Sequence, residues 1–160
     1  MAGATLTPQQ LLELLAATPT RLGAITAGVE GARLAAAPGD DEWSANDVLA
    51  HLRSCSDVWG ESISRILAED RPTIRAVNPT TWIEETDYRE QEFLRSLRFF
   101  AAQRAELLAL LEPLPEADWL RIATVTGAGS PLQKTVLSYV ERLAKHERQH
   151  VKQVERIVNR

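Results

Sequence analysis

Apolar residues recur with a period near 3.6 along most of the chain, which is the spacing of one buried face of an α-helix. One such stripe comprises Val48, Leu52, Cys55, Trp59, Ile63 and Ile66. A second, near the end of the chain, comprises Val136, Val140, Leu143, Val151, Val154 and Val158. Alternating runs are short, and "RIATVTG" is the only weak candidate for a strand. The pattern predicts an all-α protein.

Four short stretches carry the signature of a helix start, in which a Ser, Thr or Asp cap is followed three residues later by Gln, Asp or Glu. They are Thr7-Pro8-Gln9-Gln10, Ser44-Ala45-Asn46-Asp47, Asp87-Tyr88-Arg89-Glu90 and Ser130-Pro131-Leu132-Gln133. With the helix breakers between them, they predict helices over residues 8–35, 45–69, 88–111 and 131–158. The first should be interrupted at Thr18-Pro19, because Pro19 lacks the amide that a helix interior needs.

Four amphipathic helices can bury their apolar stripes together by forming a four-helix bundle. The 160 residues suit a single domain over residues 1–160. The connection between the second and third helices, "RPTIRAVNPTTWIEET", is long and irregular. It predicts a crossover rather than a tight hairpin.

Composition narrows the class of protein. The net charge of −4 disfavours non-specific nucleic-acid binding, and no apolar run approaches the roughly 18 residues of a membrane span. The first residues, "MAGATLTPQQ", lack the features of a signal peptide. The single cysteine, Cys55, is typical of a reducing compartment. We therefore expect a cytoplasmic protein with a small-molecule partner, and a homodimer is left open.

The chain contains three histidines, namely His51, His146 and His150. With Glu147, the last two spell H-E-x-x-H, which on a helix is the zinc-protease signature. His51 lies on the apolar side of the second predicted helix. Each histidine could instead be a hydrogen-bonded residue at the core edge, but three inward histidines, two of them at ligand spacing, favour a metal site with an open position. Zinc is the expected metal, with nickel or iron as alternatives.

A protease is disfavoured by spacing. Zinc proteases take their third ligand downstream of H-E-x-x-H, whereas only ten residues follow His150. None of them is histidine, and the acidic Glu155 is too near to serve. The third ligand must therefore come from upstream.

Several neighbouring residues have two interpretations. Glu147 falls in the apolar stripe, where a carboxylate is expensive to bury alone, and is the candidate general base or metal neighbour. Cys55 could reach the metal or simply fill the core. Asp47 could orient His51 or belong only to the helix cap. Gln153 could bind a metal-bound water or face solvent.

The segments "EWSANDVLAHL" and "HERQHVKQ" resemble the DinB-like superfamily of metal-binding four-helix bundles. In that family a Trp-Ser cap precedes the first ligand and H-E-x-x-H-x-x-Q carries the others. The resemblance implies His51, His146 and His150 as ligands, with Gln153 trailing. Here Val151-Lys152 replace a frequent Arg-Gly, and Gln149 stands where many members carry another histidine.

Members of that superfamily include transferases that use low-molecular-weight thiols and a thiol-dependent isomerase. The resemblance therefore implies a metal-dependent enzyme, either a thiol S-transferase or a hydrolase. The alternative is a non-enzymatic, stress-associated bundle in which the metal only joins the second and fourth helices.

Overall fold

The computed structural model describes residues 5–160. Its helices are α1 (Pro8–Thr26), α2 (Gly31–Ala35), α3 (Ala45–Ala68), α4 (Pro79–Trp82), α5 (Phe93–Leu111), α6 (Glu116–Trp119) and α7 (Val136–Val158). Its strands are β1 (Thr73–Arg75), β2 (Ile122–Thr126) and β3 (Leu132–Thr135). The long helices pack as α1 on α7, α7 on α3, α3 on α5 and α5 on α1. This ring confirms the predicted four-helix bundle.

Local capping determines where three of the long helices begin. Thr7, Ser44 and Thr135 each accept a hydrogen bond from the third residue of the helix, whose side chain bonds back to the cap. The first two starts agree with the prediction. The start predicted at Ser130 is wrong, because residues Leu132–Thr135 form β3 before α7 begins.

The start predicted at Asp87 is also displaced. Residues Tyr88–Glu90 form a single 3₁₀ turn, and α5 begins only at Phe93. The turn packs against α3 through Tyr88, whose hydroxyl donates to Asp57 at 2.6 Å. The guanidinium of Arg53 lies 3.8 Å from the centre of the Tyr88 ring. These contacts anchor the long connection to α3 ahead of the helix.

The interruption predicted at Pro19 does not occur, since α1 continues through this residue. Proline cannot donate the usual hydrogen bond to the carbonyl four residues earlier, which here belongs to Leu15. That carbonyl instead accepts from Nη1 of Arg104, on α5, at 2.9 Å. A tertiary hydrogen bond therefore replaces the missing helical one.

The three strands form a small sheet in the order β1-β2-β3. β1 pairs parallel with β2, in the register Thr73 to Thr124, and β2 pairs antiparallel with β3. The weakly predicted "RIATVTG" contains β2. Ile74, Ala123 and Val125 of the sheet join the hydrophobic cluster that also includes Leu111 and Val140. The sheet thus packs against the end of α5 and the first half of α7.

Two hydrophobic clusters make up the core. Cys55 and Ala144 belong to the cluster beneath the sheet, whereas Leu52 and Val151 belong to the other. The junction between them therefore falls at the level of the predicted histidine ligands on α3 and α7. Among the described helices, none is long and apolar enough to cross a membrane.

Candidate metal centre

The structure brings the three histidines together. His51 extends from α3, and His146 and His150 extend from successive turns of α7. Nε2 of His146 lies 3.0 Å from Nε2 of His51 and 3.1 Å from Nε2 of His150. The site therefore combines an i, i+4 pair on one helix with a third imidazole from the facing helix.

Burial keeps these imidazoles neutral. His51 is 8% exposed, and desolvation lowers its pKa from 6.5 to about 4, with a further contribution from His150. Desolvation likewise lowers the pKa of His146 to about 3, helped by its two histidine neighbours. Burial also lowers the pKa of His150. Near neutral pH each ring therefore offers a lone pair to a metal.

Gln153 determines the tautomer of His150. Its Oε1 lies 2.8 Å from Nδ1 of His150, and because an amide oxygen only accepts, Nδ1 carries the proton. Nε2 of His150 is then the unprotonated nitrogen, directed at His146. This is how protein metal sites usually orient a ligating histidine. This contact gives Gln153 a role beyond the two predicted from sequence.

The three Nε2 atoms are better explained as ligands of a shared cation than as hydrogen-bond partners of one another. Once His150 is protonated on Nδ1, a single proton on Nε2 of His146 cannot satisfy both neighbouring nitrogens. Tetrahedral ligation at a metal–nitrogen distance of 2.0–2.1 Å places ligand nitrogens about 3.3 Å apart. The observed spacings are within a few tenths of an ångström of that value. The donor set therefore suits a divalent transition metal.

Cys55 adds a fourth donor beside the histidines. Its Sγ lies 3.6 Å from Nε2 of His51, and donor atoms of His51, Cys55 and His146 all lie within 4.8 Å of one another. The thiol is buried, and desolvation raises its pKa to about 12. Without a metal it is therefore a neutral thiol. His51, Cys55 and His146 thus form one possible donor set, and the three histidines, linked through His146, form an overlapping one.

Two tryptophans enclose the imidazoles. Trp43 lies nearly parallel to His150, with ring centres 6.1 Å apart, and it also contacts His51. Trp59 meets His146 edge to face at 5.3 Å. Their contribution was not predicted from sequence. Trp59, two turns after His51 on the same helix, offered a signal that could have been used.

A cavity of about 450 Å³ reaches the site beside His150. Trp43 and Gln153 also line it, together with charged residues that include Asp41 and Arg156. His51 and His146 are not part of this wall, so the cavity meets the centre on its His150 side.

Glu147 takes part in a hydrogen-bond network that does not include the three imidazoles. Its side chain is fully buried, and its carboxylate accepts two hydrogen bonds from Arg104 and one, at 2.9 Å, from Thr18. Among the described residues, it makes no hydrogen bond to a histidine. Arg104 and Thr18 therefore occupy both carboxylate oxygens. The general-base role of Glu147 stays a prediction.

Asp47 acts in the cap of α3. Its carboxylate accepts from the backbone amide of Ser44 at 3.0 Å, and its own amide donates to the Ser44 hydroxyl at 3.0 Å. No hydrogen bond between Asp47 and His51 occurs in residues 5–160. The structure therefore supports the capping interpretation.

Comparison with known proteins agrees with this architecture. The chain is 28% identical over 126 residues to a protein of Geobacillus thermodenitrificans (strain NG80-2) described as a "Putative metal-dependent hydrolase", covering 75% of this chain and 67% of that protein. Its fold is similar to that of YfiT from Bacillus subtilis, described as "a probable metal-dependent hydrolase with an unusual four-helix bundle topology". The TM-score is 0.80 at 18% identity, over 98% of this chain and 90% of YfiT.

The sequence model of the DinB superfamily matches residues 7–154. The match includes all four long bundle helices except the last turn of α7, and it contains the three histidines. The chain therefore belongs to the DinB superfamily.

Proposed function

We propose that this protein is a metal-dependent hydrolase whose divalent cation is held by His51, His146 and His150. The observation that carries the proposal is that Nε2 of His146 lies 3.0 Å from Nε2 of His51 and 3.1 Å from Nε2 of His150, which brings three neutral imidazoles side by side. The descriptions of the Geobacillus relative and of YfiT support the same class of reaction. When bound, such a cation supplies a Lewis acid and lowers the pKa of coordinated water.

The residues around the imidazoles have separate tasks in this proposal. Gln153 keeps the proton of His150 on Nδ1 and so leaves Nε2 free to ligate. Trp43 and Trp59 exclude water from the flanks of the three rings. The cavity beside His150 admits the substrate. Zinc suits the nitrogen donors, and nickel or iron could occupy them too.

A low-molecular-weight thiol is the second candidate reactant. The 450 Å³ cavity is large enough for a small cofactor, and its wall carries groups of both signs, including Glu42 and Arg156. Those charges suit a thiol bearing ionised groups. In that case the protein would be a thiol S-transferase at the same centre.

The non-enzymatic alternative depends on Cys55. If the buried thiol ligates with all three histidines, the centre has four protein ligands and no open position, which is the pattern of a structural site. The number of protein ligands therefore separates an enzyme from a metal-stapled bundle.

These candidates can be separated with one preparation. The metal-free protein is loaded in turn with zinc, nickel and iron(II), and assayed on aryl esters and on an aryl halide with added cysteine as thiol. Ester hydrolysis by the loaded protein, absent from the metal-free protein and from a His146→Ala/His150→Ala variant, supports the hydrolase. Thiol-dependent halide release alone supports the transferase. A loaded protein inactive in both assays favours the structural metal.

A further inference from the structure

A single guanidinium connects all four long helices of the bundle. Arg104 of α5 donates to the backbone carbonyl of Leu15 on α1 at 2.9 Å, to the Ser56 hydroxyl on α3 at 3.1 Å, and to both carboxylate oxygens of Glu147 on α7. Thr18 of α1 completes the network by donating to Glu147. Arg104 is 2% exposed and Glu147 is 1% exposed. The network is therefore fully internal.

The residues that Arg104 contacts on α3 and α7 are next to the candidate ligands in sequence. Glu147 directly follows His146, and Ser56 directly follows Cys55 and lies five residues after His51. Adjacent helical residues project about 100° apart, so fixing the direction of Glu147 also fixes the direction of His146. His150 lies one turn further along the same face. The network thus constrains the rotation of α7 next to the two histidines.

Stability alone does not explain a pair of this kind. Removing two charges from water is expensive, and buried ion pairs can often be replaced by apolar residues of similar volume without loss of stability. Pro19 also belongs to the arrangement, because its missing amide leaves the Leu15 carbonyl available to Arg104. A helix-interior proline and a buried ion pair are both unfavourable by themselves.

We propose that Arg104 and Glu147 are positioning residues, which hold α7 in the rotation that directs His146 and His150 at His51. This inference rests on the proposed metal function. It also gives Glu147 a purpose different from that of the glutamate in a zinc protease. The carboxylate acts on the helix that carries the ligands.

The test replaces the pair by apolar side chains of similar volume, as Arg104→Met/Glu147→Leu, and measures cobalt(II) binding by visible absorption. The double variant should fold, shown by an unchanged helical circular dichroism spectrum, yet bind cobalt about tenfold to a hundredfold more weakly, as when supporting residues of a metal site are lost. Its cobalt spectrum should also change shape. Glu147→Gln, which keeps the volume but removes the charge, should weaken binding in the same direction.

Glu69→Gln is the matched control, because it removes a carboxylate from an exposed ion pair with Arg65 at 2.9 Å. It should leave cobalt affinity unchanged. Wild-type cobalt affinity and spectrum in both the double variant and Glu147→Gln would overturn the positioning role while leaving the metal site standing. A double variant that no longer folds would also overturn it, since the pair would then serve the bundle itself. A wild-type protein that binds no cobalt removes the metal proposal and this inference together.

Discussion

Nε2 of His51 and Nε2 of His146 lie 3.0 Å apart, although the two histidines are separated by 95 positions in the chain. One belongs to α3 and the other to α7, so the contact exists only when the bundle is assembled. Both nitrogens are in rings whose pKa is lowered by burial. This contact therefore links assembly of the bundle to the proposed metal binding.

Each chain should bind one divalent metal ion, and replacing any one of His51, His146 or His150 by Ala should sharply weaken that binding. All three imidazoles belong to one constellation, so losing any ligand leaves the ion with two. Metal analysis after dialysis, followed by competition with a chromophoric chelator, measures both quantities. An unchanged affinity in His51→Ala would show that the site does not bridge the helices.

Cys55→Ala should retain the metal, because three imidazoles remain. Cobalt-loaded wild-type protein should accordingly lack the near-ultraviolet absorption of a cobalt–thiolate bond. The comparison of wild-type and Cys55→Ala spectra shows directly whether Cys55 is a metal ligand. A thiolate band that disappears in the variant would show that Cys55 ligates, and it would favour the closed, structural site if all three histidines are needed for binding as well.

Gln153→Leu should weaken metal binding by roughly tenfold to a hundredfold, since it removes the acceptor that holds the proton of His150 on Nδ1. Gln153→Glu should restore much of the affinity, because a carboxylate can accept the same hydrogen bond. Chelator competition on the three proteins provides the measurement. Equal affinities would mean that the tautomer is set by other contacts.

Metal should raise the melting temperature without being required for folding. The ion binds the folded bundle in preference to the unfolded chain, and at a free concentration one hundred times the dissociation constant this contributes about 2.7 kcal/mol. The capping boxes at Thr7, Ser44 and Thr135 and the two hydrophobic clusters do not depend on metal. Circular dichroism melts with and without chelator test both statements. A metal-free chain without helical signal would contradict the second and favour a structural metal.

The metal-free protein should lose stability as the pH falls below about 6.5. In the folded state the pKa of His51 is about 4 and that of His146 about 3, whereas both are near 6.5 when unfolded. The unfolded chain therefore takes up protons that the folded chain does not, so the contribution is complete above pH 6.5 and declines towards the folded pKa values. Urea unfolding in chelator between pH 7.5 and 5 measures the slope.

The variant His51→Gln/His146→Gln supplies the control for that slope. It retains polar side chains but cannot titrate at these positions, so its stability should change less over the same pH range. A slope identical to that of the wild type would place the titration in other groups.

Local signals in the chain sufficed for the first two helix starts and for the spacing of the ligands on α7. The caps at Thr7 and Ser44 lie within four residues of the groups they satisfy, and the i, i+4 spacing of His146 and His150 places them on one face whatever the helix packs against. The inward position of His51 could likewise be read from the apolar stripe of its own helix. Interactions between residues so close in sequence form without contacts from the rest of the molecule.

The other features of the fold and the site depend on contacts that form only when the bundle assembles. Residues Leu132–Thr135 resemble the first turn of a helix in sequence, but they pair with β2 as a strand. Thr73 pairs with Thr124, which lies 51 positions later in the chain. Pro19 stays within α1 because Arg104 satisfies Leu15, and Glu147 finds its partner 43 positions away. Buried charges, unpaired carbonyls and strand edges must be satisfied, but the group that satisfies them is chosen by proximity in the folded chain and not by neighbouring residues.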